Sequence, residues 1–319
     1  MATPCVPKRS RGRRMCVTEH TVRPEGRPAT QLSFGPRRVP RAPRNGSAAR
    51  PASLRAPSRP EPGPGPGLAS DLPLVSVVMP CLNERDSVGQ CVRAAYAGLA
   101  AAGLPGEVIV ADNGSTDGSP RIAAEAGAWV VREPRRGYGN AYLAGFAAAR
   151  GRYLVMGDSD RSYDFGEIPR LLAPLNAGGA DYVLGSRFAG EILPGAMPWT
   201  HRRIGNPVLT RLLNVLFGLR TTDAHSGLRA FSRSAYERMA PRHGGMELAS
   251  ELVVAAAASG LRVQEVPITY HPRSGSSKLN ALRDAARHVR FLVGCFLASR
   301  FMPPARPAAA PGNAVDPAP

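Results

Sequence analysis

Five short apolar runs, separated by stretches of helical character, limit what this chain can fold into more than any other feature. "LVSVVMP" (74–80), "EVIVAD" (107–112), "AWVVRE" (128–133), "YLVMGD" (153–158) and "DYVLGSR" (181–187) are Val-rich and nearly continuously apolar. Strands covered on both faces read that way. Between the runs, residues 86–103, 119–127 and 139–150 are the clearest helical stretches. The alternation predicts an α/β fold, a mostly parallel sheet flanked by helices. A length of 319 residues leaves room for one large domain or two small ones.

In such sheets ligands gather at the carboxyl ends of the strands, so the residues just after each run are the candidates. Pro80, Asn83 and Glu84 follow the first run, and Asp112, Asn113, Gly114 and Asp117 follow the second. A carboxylate such as Asp112 can accept hydrogen bonds from a base or ribose, and Gly114 lets the backbone approach a ligand. Asp117 fits two roles, a nucleotide contact or the cap of a helix starting near Ser119. Arg135 and Arg136, with "GYGN" (137–140, including Gly139 and Asn140), form a basic loop that either meets phosphate or is an exposed turn.

After the fourth run come Asp158, Asp160 and Asp164. Asp, Gly and Ser are ordinary turn residues. Asp158 and Asp160, however, repel each other unless a cation lies between them. A hard divalent ion, Mg²⁺ or Mn²⁺, bound through one or two carboxylates and completed by water and phosphate oxygens, removes that repulsion.

Charge is unevenly spread. Residues 1–70 carry 14 Lys and Arg against 3 Asp and Glu, a local balance of +11 out of +17 for the chain. With Pro and Gly throughout and no apolar periodicity, 1–70 reads as a disordered basic tail. Its run "KRSRGRR" is either simply solvated or a nonspecific contact for anionic lipid or nucleic acid. No apolar segment follows it, so it is not a secretory signal, and an internal start such as Met15 is an equal reading. The five cysteines show neither CxxC pairing nor zinc spacing, which points to a reducing cytoplasmic compartment. The late apolar run "FLVGCFLA" (291–298) is far shorter than the roughly 20 residues that a spanning helix needs.

Taken in order and spacing, "VSVVMPCLNE", "VIVADNGSTDGS" and "MGDSDRSYDF" resemble glycosyltransferase family 2, enzymes of the GT-A fold that use nucleotide-diphosphate sugars. "GSRF" (185–188), "TTDAHSGLRAFSR" (221–233), "MELASELVVAAAASGLRVQEVPITY" (246–270) and "SGSSKL" (274–279) resemble its dolichyl-phosphate mannosyltransferase branch and the bacterial polyprenyl-phosphate relatives. The resemblance covers about residues 72–295. It implies a catalytic domain over 71–300, with a nucleotide-sugar half (71–165) and an acceptor half (166–300); many relatives continue into spanning helices there, whereas 301–319, with "PPARPAAAPG", reads as a disordered tail.

It also implies that Asp158 and Asp160 are the DxD pair holding the metal on the sugar diphosphate, with Asp112 and Glu84 on the nucleoside side. Arg187, Arg202, Arg203, Ser226 and Arg229 match the acceptor-phosphate positions. Arg229 has the alternative of clamping a neighbouring carboxylate, and Asp223 is the base if the acceptor is a hydroxyl. Ser162 stands where relatives often carry a metal-binding Gln, so water or Asp164 would fill that place.

The helical stretch 279–301 places Leu282, Ala286, Val289, Leu292, Val293 and Phe296 on one stripe, with Arg283, Arg287 and Arg290 nearer the other side. Such a helix either lies peripherally on the cytoplasmic face of a membrane or packs on the sheet. The expected activity is metal-dependent, inverting transfer of a hexose, mannose or glucose, from a nucleotide-diphosphate sugar to a polyprenyl phosphate. Its alternatives are the same fold acting on a soluble, cell-wall or secondary-metabolite acceptor, a haloacid-dehalogenase-type phosphohydrolase, a glycoside hydrolase, and a non-catalytic binding protein.

Overall fold

The computed structural model describes residues 30–32, 73–275 and 281–301. Its strands are β1 (Thr30–Leu32), β2 (Val75–Cys81), β3 (Gly106–Asp112), β4 (Trp129–Arg132), β5 (Tyr153–Met156), β6 (Tyr182–Ile192), β7 (Arg229–Ser232) and β8 (Val263–Tyr270). The helices are α1 (Val88–Ala101), α2 (Ser119–Glu125), α3 (Tyr138–Ala148), α4 (Ile168–Asn176), α5 (Asn206–Phe217), α6 (Arg233–Met239), α7 (Leu248–Ala258) and α8 (Ala281–Phe301). All five apolar runs are strands, and the three helical stretches are α1, α2 and α3.

One sheet of order β1-β8-β6-β7-β5-β2-β3-β4 collects them. β4, β3, β2 and β5 are parallel neighbours, as are β6 and β8; β7 runs antiparallel between β5 and β6. At four residues, β7 is too short for its pattern to announce a strand. Because β7 is reversed, β5 and β6 point the same way, and the loops after β2, β3, β5, β6 and β8 open on one edge.

Two apolar layers cover the sheet. Val77, Val108 and Val155 meet α1 and α4 on one face, while Val78, Ile109 and Leu154 meet α3 and α7 on the other. Strands buried on both faces need no alternation, and these show none. A third cluster, Leu213, Phe217, Val253, Val254, Leu292 and Cys295, joins α5, α7 and α8 away from the sheet.

Two expectations change here. Thr30–Leu32 lies within the stretch read as a disordered tail, yet it pairs antiparallel with β8. An edge strand offers main-chain partners to any extended segment, so side-chain periodicity is not required. The rest of 1–72, and 302–319, fall outside the described residues. The apolar stripe expected on α8 is also rotated. His288, Leu292 and Cys295 face inward, against α5 and α7 rather than the sheet, whereas Val289 and Val293 are exposed.

Helix α1 sits close enough to the segment after the aspartates that a Cβ on Gly98 would lie 2.2 Å from the Phe165 carbonyl oxygen. Gly98→Ala should therefore destabilise the protein by about 1–3 kcal/mol, although alanine is the better helix former by roughly 1 kcal/mol. Urea unfolding measures this, and a raised midpoint would show that the close approach costs nothing to relieve.

Candidate active site

Two loops at the ends of β2 and β3 are zipped together. Asn83 N donates to Ser115 Oγ at 2.9 Å, Thr116 N to Asn83 Oδ1 at 2.8 Å, Glu84 N to Ser119 Oγ at 2.8 Å and Arg85 N to Asp117 Oδ2 at 3.0 Å. Buried Asp112 folds the turn after β3 by accepting from Ser115 N at 3.0 Å and Gly114 N at 3.3 Å. The N-cap of α2 is Gly118, and Asp117 just outside it closes the entry turn by accepting from Ser119 N and Oγ. Burial pushes its carboxyl up, but these hydrogen bonds and the one from Arg85 N outweigh that and hold it below the usual range.

Asn113, Gly139 and Asn140 are engaged within the protein. The Asn113 amide donates to the Glu133 and Arg135 carbonyls at 2.9 and 2.8 Å and accepts from Gly137 N at 2.8 Å, which sets the 133–137 loop. Gly139 meets the 243–245 backbone so closely that a Cβ would lie 2.1 Å from the His243 oxygen. Asn140 N donates to the Gly244 carbonyl at 3.0 Å. These contacts seat the first turn of α3.

Beyond β5, the chain turns sharply. Ser159 Oγ donates to the Pro80 carbonyl at 2.6 Å, and Arg161 adopts a φ of +66°, a left-handed conformation unusual for a side-chain-bearing residue. Partly buried Asp158 accepts from Tyr142 Oη at 3.1 Å, and a Cβ at Gly227 would lie 3.0 Å from its other oxygen. Burial and then the Asp160 charge push the Asp158 carboxyl up to about 6. Buried Asp160 accepts from Ser162 N and Oγ at 2.9 and 2.5 Å and is salt-bridged to Arg273.

The Ser162 hydroxyl is thus spent on orienting Asp160. Asp164 accepts from Gly166 N at 2.8 Å as the cap of the Phe165–Glu167 turn. Among the described residues no third His, Cys, Asp or Glu joins the pair. Two hard carboxylates, one with its ionisation held back by burial and then by the other's charge, fit a divalent ion whose remaining ligands are diphosphate oxygens and water.

Further along the chain, Arg187 on β6 and Asp223 in the loop before β7 form a buried bidentate pair, with Nε–Oδ2 and Nη2–Oδ1 at 2.7 and 2.8 Å. Buried Glu265 anchors the loop that carries Asp223, accepting from Thr222 N at 2.8 Å and from the Thr221 hydroxyl. Asp223 is therefore bonded to a guanidinium and is no free base. Tyr270 lies under the Arg187 guanidinium at 5.1 Å and packs edge-on against Tyr163, which accepts from Gly227 N.

Arg229 corrects an expectation. It is fully buried and clamps backbone: Nε donates to the Ser226 carbonyl at 2.7 Å, Nη1 to Tyr182 Oη and the Ala249 carbonyl at 2.8 and 2.9 Å, and Nη2 to the Ala224 carbonyl at 3.0 Å. With its donors used on the protein, it holds the 224–226 loop to α7 rather than meeting a phosphate. The alternative of a carboxylate clamp fails as well, since its partners are carbonyls and a phenol. Ser226 is buried with its hydroxyl unpartnered, while Arg202 and Arg203 are exposed on the His201–Gly205 turn that leads into α5.

Sequence reasoning passed over Arg273, Tyr142, Tyr163, Tyr270 and Gly227. Arg273 directly precedes "SGSSKL", so its position beside a motif was the available signal. Tyr163 and Tyr270 lie inside quoted motifs, which was the same signal, whereas Tyr142 carries none, since an aromatic residue in a helix reads as core.

Residues 76–240 match the sequence model for "Glycosyl transferase family 2". The low-salt glycan biosynthesis hexosyltransferase Agl6 of Haloferax volcanii is 51% identical over 221 residues, covering 69% of this chain and 53% of that protein. The chain thus spans about half the length of that relative. A dolichyl-phosphate hexose transferase of the same organism is 32% identical, over 71% of this chain and 95% of its own. In fold, the chain is similar to glucosyl-3-phosphoglycerate synthase of Mycobacterium tuberculosis, solved with phosphoglyceric acid, at a TM-score of 0.57 and 24% identity, over 70% of this chain and 80% of that one. The same enzyme has been solved with Mn²⁺, UDP and glucosyl-3-phosphoglycerate, at a TM-score of 0.55 and 22% identity over the same shares.

The raised Asp158 value has a direct consequence for stability. An acid whose native value exceeds its unfolded one is better tolerated when protonated, so its ionisation lowers stability as pH rises from about 4 to about 6. Asp158→Asn should therefore melt higher than the parent at pH 8, by about 1–3 kcal/mol, and the gap should close near pH 4. Melts at both pH values in chelator test this. A variant less stable at pH 8 would show that Asp158 is held ionised without cost.

Proposed function

Because the chain belongs to glycosyltransferase family 2, we propose that it transfers a hexose from a nucleotide-diphosphate sugar to a polyprenyl phosphate, with inversion at the sugar carbon. The observation that carries the reading is the Asp158–Asp160 pair at the end of β5, beside the zipped loops of β2 and β3. Asp158 and Asp160 would hold Mg²⁺ or Mn²⁺. That ion supplies charge neutralisation for the departing diphosphate. Asp112, Gly114 and the 82–84 backbone border the place for the nucleoside, with Glu84 and Asn83 at its rim. Solved Mn²⁺ and UDP complexes of a protein of similar fold support a divalent ion and a nucleotide donor.

Two features of the acceptor half favour a phosphate nucleophile. A phosphate oxygen is already anionic, so it needs no proton removed. Asp223, the carboxylate expected to serve a hydroxyl, is bound at both oxygens by Arg187. The second feature is a set of exposed apolar side chains. Trp199, Ile204, Val208 and Val215 are 67, 52, 58 and 68% exposed along the turn and α5, and Val289, Val293 and Leu297 are exposed on α8, which packs against α5.

Exposed Arg202, Arg203 and Arg211 stand on the first segment, and exposed Arg290 on the second. Large apolar side chains among arginines suit the headgroup layer of an anionic membrane, where a polyprenyl phosphate resides. Among the described residues no helix is long and apolar enough to cross a membrane, so the contact proposed is peripheral. Arg202 and Arg203 take over from Arg229 as the cations for the acceptor phosphate. The dolichyl-phosphate relative supports this acceptor class.

The rival chemistries lack support. A dehalogenase-type nucleophile would stand at the end of the first strand, whereas Asp158 follows β5. A glycoside hydrolase places its two carboxylates on either side of a glycosidic bond, whereas Asp158 and Asp160 stand in one loop.

The deciding experiment incubates the purified protein with Mn²⁺, labelled nucleotide sugars, and either polyprenyl phosphate in vesicles or 3-phosphoglycerate in solution. Labelled lipid is expected. Label in phosphoglycerate alone would move the protein to a soluble acceptor. Chelator, or Asp160→Asn in the folded protein, should reduce transfer at least a hundredfold, and full activity in excess chelator would end the metal-dependent reading.

Replacing Trp199 and Val293 by serine should cut vesicle binding and transfer to long-chain polyprenyl phosphate about tenfold or more. Transfer to a short-chain, water-soluble analogue should persist. Equal losses on both substrates would show that the two side chains serve the fold instead.

A further inference from the structure

One charged neighbour of the carboxylate pair has no part in the reading above. Arg273, in the loop after β8, donates from Nε to Asp160 Oδ2 at 3.0 Å and from Nη2 to the same oxygen. The loop is pinned there by backbone: Ser274 N donates to the Asp160 carbonyl at 2.8 Å and His271 N to the Ser162 carbonyl at 3.0 Å. Since Ser162 occupies Oδ1, both oxygens of Asp160 are bound. The Arg273 side chain is 32% exposed and that of Asp160 is 6% exposed. The guanidinium thus covers its partner carboxylate from the solvent side, which leaves it room to move outward.

Resting on the reading of Asp158 and Asp160 as a metal pair, we propose that Arg273 is a positioning residue that keeps Asp160 closed to metal until the nucleotide diphosphate arrives. Two carboxylates and one guanidinium leave a single net negative charge. A divalent ion alone would turn it into a single net positive charge, with two cations competing for one oxygen. A diphosphate reverses that imbalance by bringing negative charge to both cations. Metal and nucleotide therefore bind cooperatively, and the coupling is reciprocal. Ser162 contributes by fixing Oδ1, so that the contest is confined to Oδ2. An arginine suits the task because its planar fork engages one carboxylate oxygen through two donors, which an ammonium cannot reproduce.

Mn²⁺ binding to the full chain, read by the electron paramagnetic resonance of the free ion, tests this without any turnover. The parent protein should bind Mn²⁺ alone weakly and at least tenfold more tightly with UDP. Arg273→Gln should tighten Mn²⁺ binding in the absence of UDP by about ten- to a hundredfold, the effect of removing one charge-assisted competitor. The enhancement by UDP should shrink with it.

Arg273→Lys should fall between the two, and it carries the same test should the Gln variant lose its cooperative melt. Unchanged or weaker Mn²⁺ binding in these variants, with Asp160→Asn still abolishing it, would overturn the gating role and leave the metal pair standing. Mn²⁺ binding indifferent to Asp160→Asn would instead remove the metal pair, and this inference with it.

Discussion

The repulsion between Asp158 and Asp160 organises the candidate site. Asp158 stands in a tight loop at the end of a buried strand, and burial first, then the Asp160 charge, push its carboxyl up to about 6. The loop persists because other groups hold it: Tyr142 donates to Asp158, Ser162 and Arg273 donate to Asp160, and Ser159 ties the turn to β2. The left-handed Arg161 between the two clamps belongs to the same arrangement. Local strain of this kind survives where surrounding contacts over-determine the backbone. The contacts come from β2, α3 and the loop after β8, so the pair is a property of the assembled sheet.

A second constraint lies between β6 and β8, where several charged side chains are used internally. Arg187 with Asp223, Glu265 with the 221–223 loop, and Arg229 with four protein acceptors form a buried polar framework. Truncating one member would leave its partners buried and unpaired, so such networks set a loop's position at high cost to change. The chemical consequence is that cations for an acceptor must be sought among exposed residues. Under the proposed reading these are Arg202 and Arg203 on the turn before α5 and Arg290 on α8, near exposed apolar side chains.

The framework also links α8 to the loop bearing Asp223. His225 Nε2 and Ser250 Oγ lie 3.0 Å apart, and Ser250 Oγ and His288 Nδ1 lie 2.8 Å apart. Burial, then the neighbouring His288 and Arg229, hold His225 well below its ordinary range, which favours its neutral form in this chain of hydrogen bonds. A helix that contributes an exposed apolar stripe is thus seated through a polar bridge to the 223–227 loop. Membrane contact and acceptor placement, as proposed, would share one piece of structure.

The sequence by itself determined the elements that depend on local composition. Uninterrupted Val-rich runs can be stable only as strands covered on both faces, so five strands, three helices and the sheet edge carrying polar residues were legible from spacing alone. The Asp158–Asp160 pair was legible too, because like charges two residues apart demand an explanation wherever the chain goes. What only the tertiary structure decided is how long polar side chains are spent.

Arg229 and Arg273 look alike in sequence, one inside a motif and one beside it, yet the first is sealed among carbonyls and the second covers Asp160. The rotation of the α8 stripe is another such case, since its buried face was chosen by α5 and α7. The physical reason is common to all three. A guanidinium on a flexible stem, or a helix with apolar residues on more than one side, has several local partners of similar energy. Only the packing of distant segments removes all but one.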